Sequence, residues 1–225
     1  MRKNINIAVD GPAASGKGTA SKRVASKLGL IYLDTGIMYR ALTWKAIERN
    51  VEFKRPEEII LLAKKININI KSLPDNSNQA FVDEIEVTQD IRSPAVNNKV
   101  SVVAEIPEVR KILVTKQQEM AKQGKVIMDG RDIGTNVLPD ADLKFFITAS
   151  LDERARRRYL EYKEKGNCVS PEEVLQEISL RDEIDSKRKA DPLIVAKDAI
   201  VIDTTHMSIE EVVEKLIQNF QRRKK

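Results

Sequence analysis

GPAASGKGT, residues 11–19, decides the fold of this 225-residue chain. It follows a short apolar run at residues 5–9 and opens a helical pattern that continues to about Leu28. Strand, glycine-rich turn, lysine and helix in that order gather many backbone N–H groups in a small space. The helix start adds positive potential, so the assembly suits a polyphosphate. Lys17 can reach the β- and γ-phosphates of a nucleoside triphosphate. The spacing Gly11-x4-Gly16-Lys17 fits the Walker A pattern with one departure. Gly18 stands where Ser or Thr usually meets magnesium, and the hydroxyl comes one residue later, at Thr19. The candidate ATP site is therefore Gly11, Pro12, Ala13, Ala14, Ser15, Gly16, Lys17, Gly18 and Thr19, with Thr19 meeting Mg2+ through water.

Working outward, four further apolar runs, residues 30–33, 126–128, 143–147 and 200–202, read as strands separated by helical patterns. That rhythm predicts an α/β fold, a parallel sheet covered by helices on both faces. Ser150/Glu153, Ser170/Glu173 and Ser208/Glu211 have capping-box spacing at helix starts, and Gly29, Gly124 and Gly166 follow helical runs as C-caps. One stretch breaks the rhythm. Ile66, Ile68 and Ile70 alternate with polar residues, a turn-rich segment occupies 72–79, and a second alternating run covers 81–87. This predicts an antiparallel hairpin inserted into the parallel domain. Phe145 and Phe146 read as core.

Composition narrows the function classes. Hydrophobic residues make up 41% and charged residues 32%, which suits a folded globular chain and not a disordered one. No apolar run approaches the roughly 20 residues of a membrane helix, and the N-terminus lacks a secretory pattern. One cysteine, Cys168, and one histidine, His206, supply neither an intrachain disulfide nor a zinc site. These features predict a cytoplasmic protein with no membrane partner. Of the net charge of +5, four charges sit at Arg222, Arg223, Lys224 and Lys225. The basic balance is a short helix tail and does not predict a nucleic-acid partner.

Two further constellations stand out. DGRD, residues 129–132, follows the strand at 126–128, the Walker B placement. Asp129 is positioned to hold Mg2+ through water, and Arg131 and Asp132 face the cleft above the sheet. In the helix from Pro171, Val174 and Ile178 form an apolar stripe that Arg181, Asp185 and Arg188 continue. Charged groups on an inward-facing stripe suit a sugar hydroxyl and a base edge. Residues 150–166 carry Arg154, Arg156, Arg157 and Arg158, and spacing alone does not choose among them.

GKGT in place of GK[ST] resembles the nucleoside monophosphate kinases. DTGIMYR at 34–40, the Ser101…Pro107…Arg110 spacing, DGRDIGT at 129–135 and RDEIDSKR at 181–188 narrow the resemblance to the bacterial cytidylate kinases, from Ile5 to about Ile217. The resemblance implies a single P-loop kinase domain over 1–225 with a five-stranded parallel core. It further implies a monophosphate-binding insertion at 60–110 with a small antiparallel sheet, and a short lid at 150–167. The implied reaction is transfer of the ATP γ-phosphoryl group to CMP or dCMP, with Mg2+, by a monomer. Arg40 and Arg131 would bind the acceptor phosphate, beside Thr35 and Tyr39. Ser101, Arg110, Asp132 and Arg188 would frame cytosine, and Arg181 and Asp185 would contact the pentose. Lys17, Arg131 and the lid residues Arg154 and Arg158 would stabilise the transferring phosphoryl group. The rival readings are a P-loop kinase of another small acceptor (UMP, AMP or a shikimate-like molecule) and a non-catalytic nucleotide-binding switch.

Overall fold

The computed structural model describes residues 5–164 and 166–223; Lys224 and Lys225 of the basic tail lie outside them, as does position 165 in the stretch expected to be the lid. Strands β1 (Asn6–Asp10), β2 (Ile31–Asp34), β6 (Val126–Gly130), β7 (Leu143–Thr148) and β8 (Ile200–Asp203) form one parallel sheet in the order β2-β6-β1-β7-β8. All five strands expected from the apolar runs are present, with ends shifted by a residue or two. Their continuous hydrophobicity follows from burial on both faces. Ala8, Leu33 and Met128 face one core layer, whereas Ile7, Val9, Tyr32 and Ile127 face the other. Helices α1 (Lys17–Leu28) and α8 (Ile209–Arg223) cover the second layer, through Val24, Val213 and Leu216 among others.

The first layer is covered by α2 (Gly36–Glu48) and by a long excursion between α2 and β6. The excursion comprises α3 (Pro56–Lys65), strands β3 (Ile68–Ser72), β4 (Asn78–Val82) and β5 (Ile85–Glu86), then α4 (Pro94–Glu105) and α5 (Pro107–Ala121). The expected hairpin is there, but its second arm differs from the sequence reading. The run 81–87 is not one strand, because Asp83 and Glu84 both adopt positive φ, 49° and 70°, and reverse the chain. Two successive left-handed residues make the tight turn that matches the twist of a hairpin. β5 therefore folds back on β4 to give three strands in the order β3-β4-β5. β4 begins at Asn78, inside the segment read as turn.

Helices α6 (Leu151–Glu164) and α7 (Pro171–Lys187) pack together through Ala155, Val174 and Ile178. Full capping boxes form at Ser170/Glu173 and Ser208/Glu211. At Ser150 only half forms. Its hydroxyl accepts from the Glu153 amide, but the Glu153 carboxylate turns to Arg156 and Arg157, since guanidinium groups outbid a neutral amide.

β2 is an edge strand, and its unpaired backbone is satisfied by the excursion. Asn78 Oδ1 accepts from the Asp34 amide at 2.9 Å, and Asn78 Nδ2 donates to the Tyr32 carbonyl at 2.8 Å. Asn76 Oδ1 accepts from the Tyr32 amide at 3.3 Å. Asparagine side chains thus stand in for a sixth strand and anchor the hairpin beside the cleft. Asn78→Ala should leave a buried amide and carbonyl unpaired and cost about 1–3 kcal/mol, read as a lower urea midpoint at unchanged m-value.

Candidate active site

The loop at 11–19 joins β1 to α1. Gly11 has φ +152°, and a Cβ built there would stand 2.0 Å from the Ile147 carbonyl oxygen, so only glycine fits against β7. Lys17 is buried in the first turn of α1, and its Nζ donates to the Pro12 carbonyl at 3.1 Å. Burial pulls its pKa down to about 7, and Arg131 and Arg181 act in the same direction while Asp129 opposes them.

Asp129 ends β6 beside β1, the Walker B position, with Asp34 its register partner on β2. Burial raises its carboxyl to about 6, with Asp34 adding to the shift. Tyr32 donates its hydroxyl to Asp129 Oδ1 at 2.7 Å. Oδ2 lies 3.7 Å from where a Cβ of Gly18 would sit, facing the phosphate loop. Among the described residues no cluster of three or more potential metal ligands assembles. Hard carboxylate oxygens beside a triphosphate loop nevertheless suit magnesium, which keeps several waters and takes only one or two carboxylates. Thr19 is exposed and lines the same cleft.

Thr35 and Gly36 start α2. Thr35 donates its amide and its hydroxyl to the Asp129 carbonyl, and Asp34 accepts from the Gly36 amide, so the turn is locked onto β6. One helical turn later, Arg40 reaches Asp34 Oδ2 at 3.5 Å. After β6, Arg131 Nε donates to Asp185 Oδ2 of α7 at 2.7 Å. Burial alone would raise the Asp185 carboxyl, but Arg131 and Arg181 hold it below the usual carboxylate range. Arg181, half-buried beside Arg131, is itself lowered to about 9, burial being the larger cause.

Arg110, from α5, is 1% exposed and donates to Asp132 Oδ2 at 2.5 Å. Arg188 at the end of α7 and Ser101 on α4 close this pocket, and the ring of Tyr39 lies 5.4 Å from the Arg110 guanidinium carbon. Among the described residues the buried Tyr39 hydroxyl and Arg181 Nε have no hydrogen-bond partner. Both border the cleft of about 350 Å³ that runs from the phosphate loop to Asp132.

The structure thus brings together Lys17, Thr35, Tyr39, Arg40, Ser101, Arg110, Asp129, Arg131, Asp132, Arg158, Arg181, Asp185 and Arg188 around one cleft. It does not bring Arg154 there. That guanidinium is turned under the loop, donating to the carbonyls of Ala149 and Ala13 and pairing with Asp182 at 2.6 Å. Arg157 lines the cleft instead, held by the Ser15 carbonyl, by Thr204 and by Glu153. Four arginines in five residues wrap around a helix, so spacing could not distinguish them.

Sequence reasoning also passed over Asp10, whose carboxylate accepts the amides of Ile133 and Gly134, both at 2.7 Å, and fixes the segment after Asp132. Its position directly before Gly11 was the available signal. A second crevice, about 260 Å³, flanks the loop between Arg156, Arg157, Thr204, Met207 and Ile209. Its residues come from two distant segments and carried no common motif.

A family profile described as cytidylate kinase matches residues 7–222. This chain belongs to the cytidylate kinase family. It is 50% identical over 221 residues to a cytidylate kinase of Caldanaerobacter subterraneus subsp. tengcongensis, covering 98% of this chain and 96% of the relative. Those of Desulfitobacterium hafniense and Bacillus cereus are each 48% identical, covering 98% and 96% of this chain and 94% and 96% of the relatives. Among solved structures, an uncharacterized protein from Eubacterium ventriosum shares the fold, with TM-score 0.52 at 12% identity over 98% of this chain and 99% of that one. Membership makes the chain an ATP-dependent nucleoside monophosphate kinase.

The lowered pKa of Lys17 has a measurable consequence. Near pH 7.5 the free lysine is partly neutral, and a bound polyphosphate favours its charged form, so binding should draw protons from solution. Calorimetry of ADP binding in buffers of different ionisation enthalpy should show net proton uptake. Lys17→Arg, whose guanidinium stays charged, should reduce it.

Proposed function

We propose that the cleft transfers the γ-phosphoryl group of ATP to the phosphate of CMP or dCMP, releasing ADP and forming CDP or dCDP. The observation that carries this reading is the continuity of one cleft. It runs from a triphosphate loop, past a cluster of cations, to a buried pocket in which a carboxylate lies between two arginines. A carboxylate there accepts from the exocyclic amino group of cytosine and repels the carbonyl that uracil presents at the same place.

On this reading the loop amides and Lys17 hold the ATP phosphates. The crevice beside Arg156 and Met207 takes the adenine, whose flat apolar faces suit guanidinium and thioether neighbours. Thr35, Tyr39, Arg40 and Arg131 hold the acceptor phosphate, while Arg181 and Asp185 meet the pentose. Ser101, Arg110, Asp132 and Arg188 frame the base. Residues 60–110 act as the monophosphate-binding insertion and 150–167 as the lid, with Arg158, and Arg157 in place of Arg154, facing the transferring group.

The attacking atom is an oxygen of the acceptor phosphate, which is anionic at neutral pH. No general base is needed, and ADP leaves as the new P–O bond forms. Lys17, Arg131 and the lid arginines stabilise the charge spread over the equatorial oxygens, and the two sites align donor and acceptor. Asp129 would hold Mg2+ through water, with Thr19 at the edge of that shell. The ion would neutralise charge on the β- and γ-phosphates. Water competes as a nucleophile, so lid and insertion should close only over both nucleotides.

We read the protein as a monomer, because the reaction asks for no group beyond those this chain supplies, and the lone exposed Cys168 fits a reducing cytoplasm. No helix among the described residues is long and apolar enough to cross a membrane.

A coupled assay of ADP release tests the reading. CMP and dCMP should stimulate it, and AMP, shikimate and RNA should not; greater turnover with any of those three would overturn the assignment. Lys17→Ala should abolish transfer in a protein whose circular dichroism is unchanged. Asp132→Asn should narrow the kcat/KM preference for CMP over UMP by about tenfold or more, the scale of a buried hydrogen bond to a charged group.

A further inference from the structure

Behind the arginines that line this pocket stands a second carboxylate, Asp191, in the loop after α7. Its backbone is left-handed, with φ 47°. Asp191 Oδ2 accepts from Arg110 Nε at 2.8 Å. Its carbonyl oxygen accepts from Arg188 Nε, also at 2.8 Å, and from Arg188 Nη2. One residue therefore holds both arginines of the pocket, through its side chain and its backbone.

This arrangement governs what remains of Asp132. Asp132 Oδ2 accepts from Arg110 at 2.5 Å and from Asn136 at 3.0 Å. Oδ1 accepts no hydrogen bond among the described residues, and Arg188 Nη2 stands off at 3.6 Å. Buried guanidinium groups seek the strongest acceptor in reach, and a carboxylate with one on each oxygen has fewer lone pairs left for a substrate. With Asp132 alone, two arginines would face one base-reading carboxylate. The surplus positive charge would then favour a carbonyl oxygen over an amino group. The Asp191 carboxylate supplies negative charge to Arg110 and draws its Nε away from Asp132, while the Asp191 carbonyl draws the Arg188 fork and Asp185 Oδ1 stands 3.8 Å from Arg188 Nη1.

We infer that Asp191 is a specificity-determining positioning residue. By holding Arg110 and Arg188 it leaves Asp132 Oδ1 available to the exocyclic amino group of cytosine, and so it helps set the preference for cytosine over uracil nucleotides. The inference rests on the reading of this cleft as the CMP site.

The test compares wild type, Asp191→Asn and Asp191→Ala with CMP and UMP at saturating ATP, and measures melting for each. Both variants keep the backbone carbonyl that holds Arg188, and asparagine also tolerates left-handed backbone, so it removes the charge with little strain. Wild type should prefer CMP. The kcat/KM ratio of CMP to UMP should fall about tenfold in Asp191→Ala and by less in Asp191→Asn, through a higher KM for CMP, with kcat and the KM for ATP little changed. If wild type does not discriminate, the assignment of the cleft fails. If wild type discriminates and both variants keep its ratio, the inference is overturned while the assignment stands. A variant that loses CMP and UMP turnover alike as its melting temperature drops marks a purely structural role and also overturns it.

Discussion

Like charges buried together are the constraint on which this molecule depends. Lys17, Arg131 and Arg181 converge at the carboxyl end of the parallel sheet, where burial and mutual repulsion depress the pKa of Lys17 and Arg181. Such a cluster stays folded only if carboxylates stand among the cations. Asp129 and Asp185 do this from β6 and α7, and Asp34 does it for Arg40 from β2. Each of these acids sits at a strand end or on a helix face aimed over the sheet. The parallel topology thus determines where charge can be concentrated.

The same carboxylates prepare the chemistry. Phosphoryl transfer between phosphates asks for alignment and charge stabilisation and for no proton acceptor, so groups fixed before substrate arrives are worth most. Asp185 orients Arg131 from a different element, and Tyr32 orients Asp129. Arg154, by contrast, ties α6 to the carbonyl of Ala13 and to α7. A cation from α6 thereby supports the backbone of the phosphate loop, while Arg157 and Arg158 remain at the cleft.

The excursion between α2 and β6 is joined to this centre at two places. Asn76 and Asn78 complete the edge of β2 next to Asp34, and Arg110 reaches from α5 to Asp132. The Asp34 and Asp132 ends of the cleft are therefore linked to one stretch of chain, and movement of that stretch would be felt at both.

The sequence by itself determined the five parallel strands, the phosphate loop, the inserted hairpin and the charged continuation of the Val174–Ile178 stripe. These are local properties: apolar runs, glycine positions and helical periodicity are written within a few residues of each other. Tertiary structure decided what depends on distant segments meeting. It broke the 81–87 run with two left-handed residues and diverted Glu153 from its cap to Arg156 and Arg157. It turned Arg154 rather than Arg157 away from the cleft, a choice of direction around a helix that composition leaves open. Above all it placed Asp191 against Arg110, 81 positions away in the chain. No local pattern encodes such a pair, because a hydrogen bond between side chains depends on the path of the backbone between them and not on their spacing in sequence.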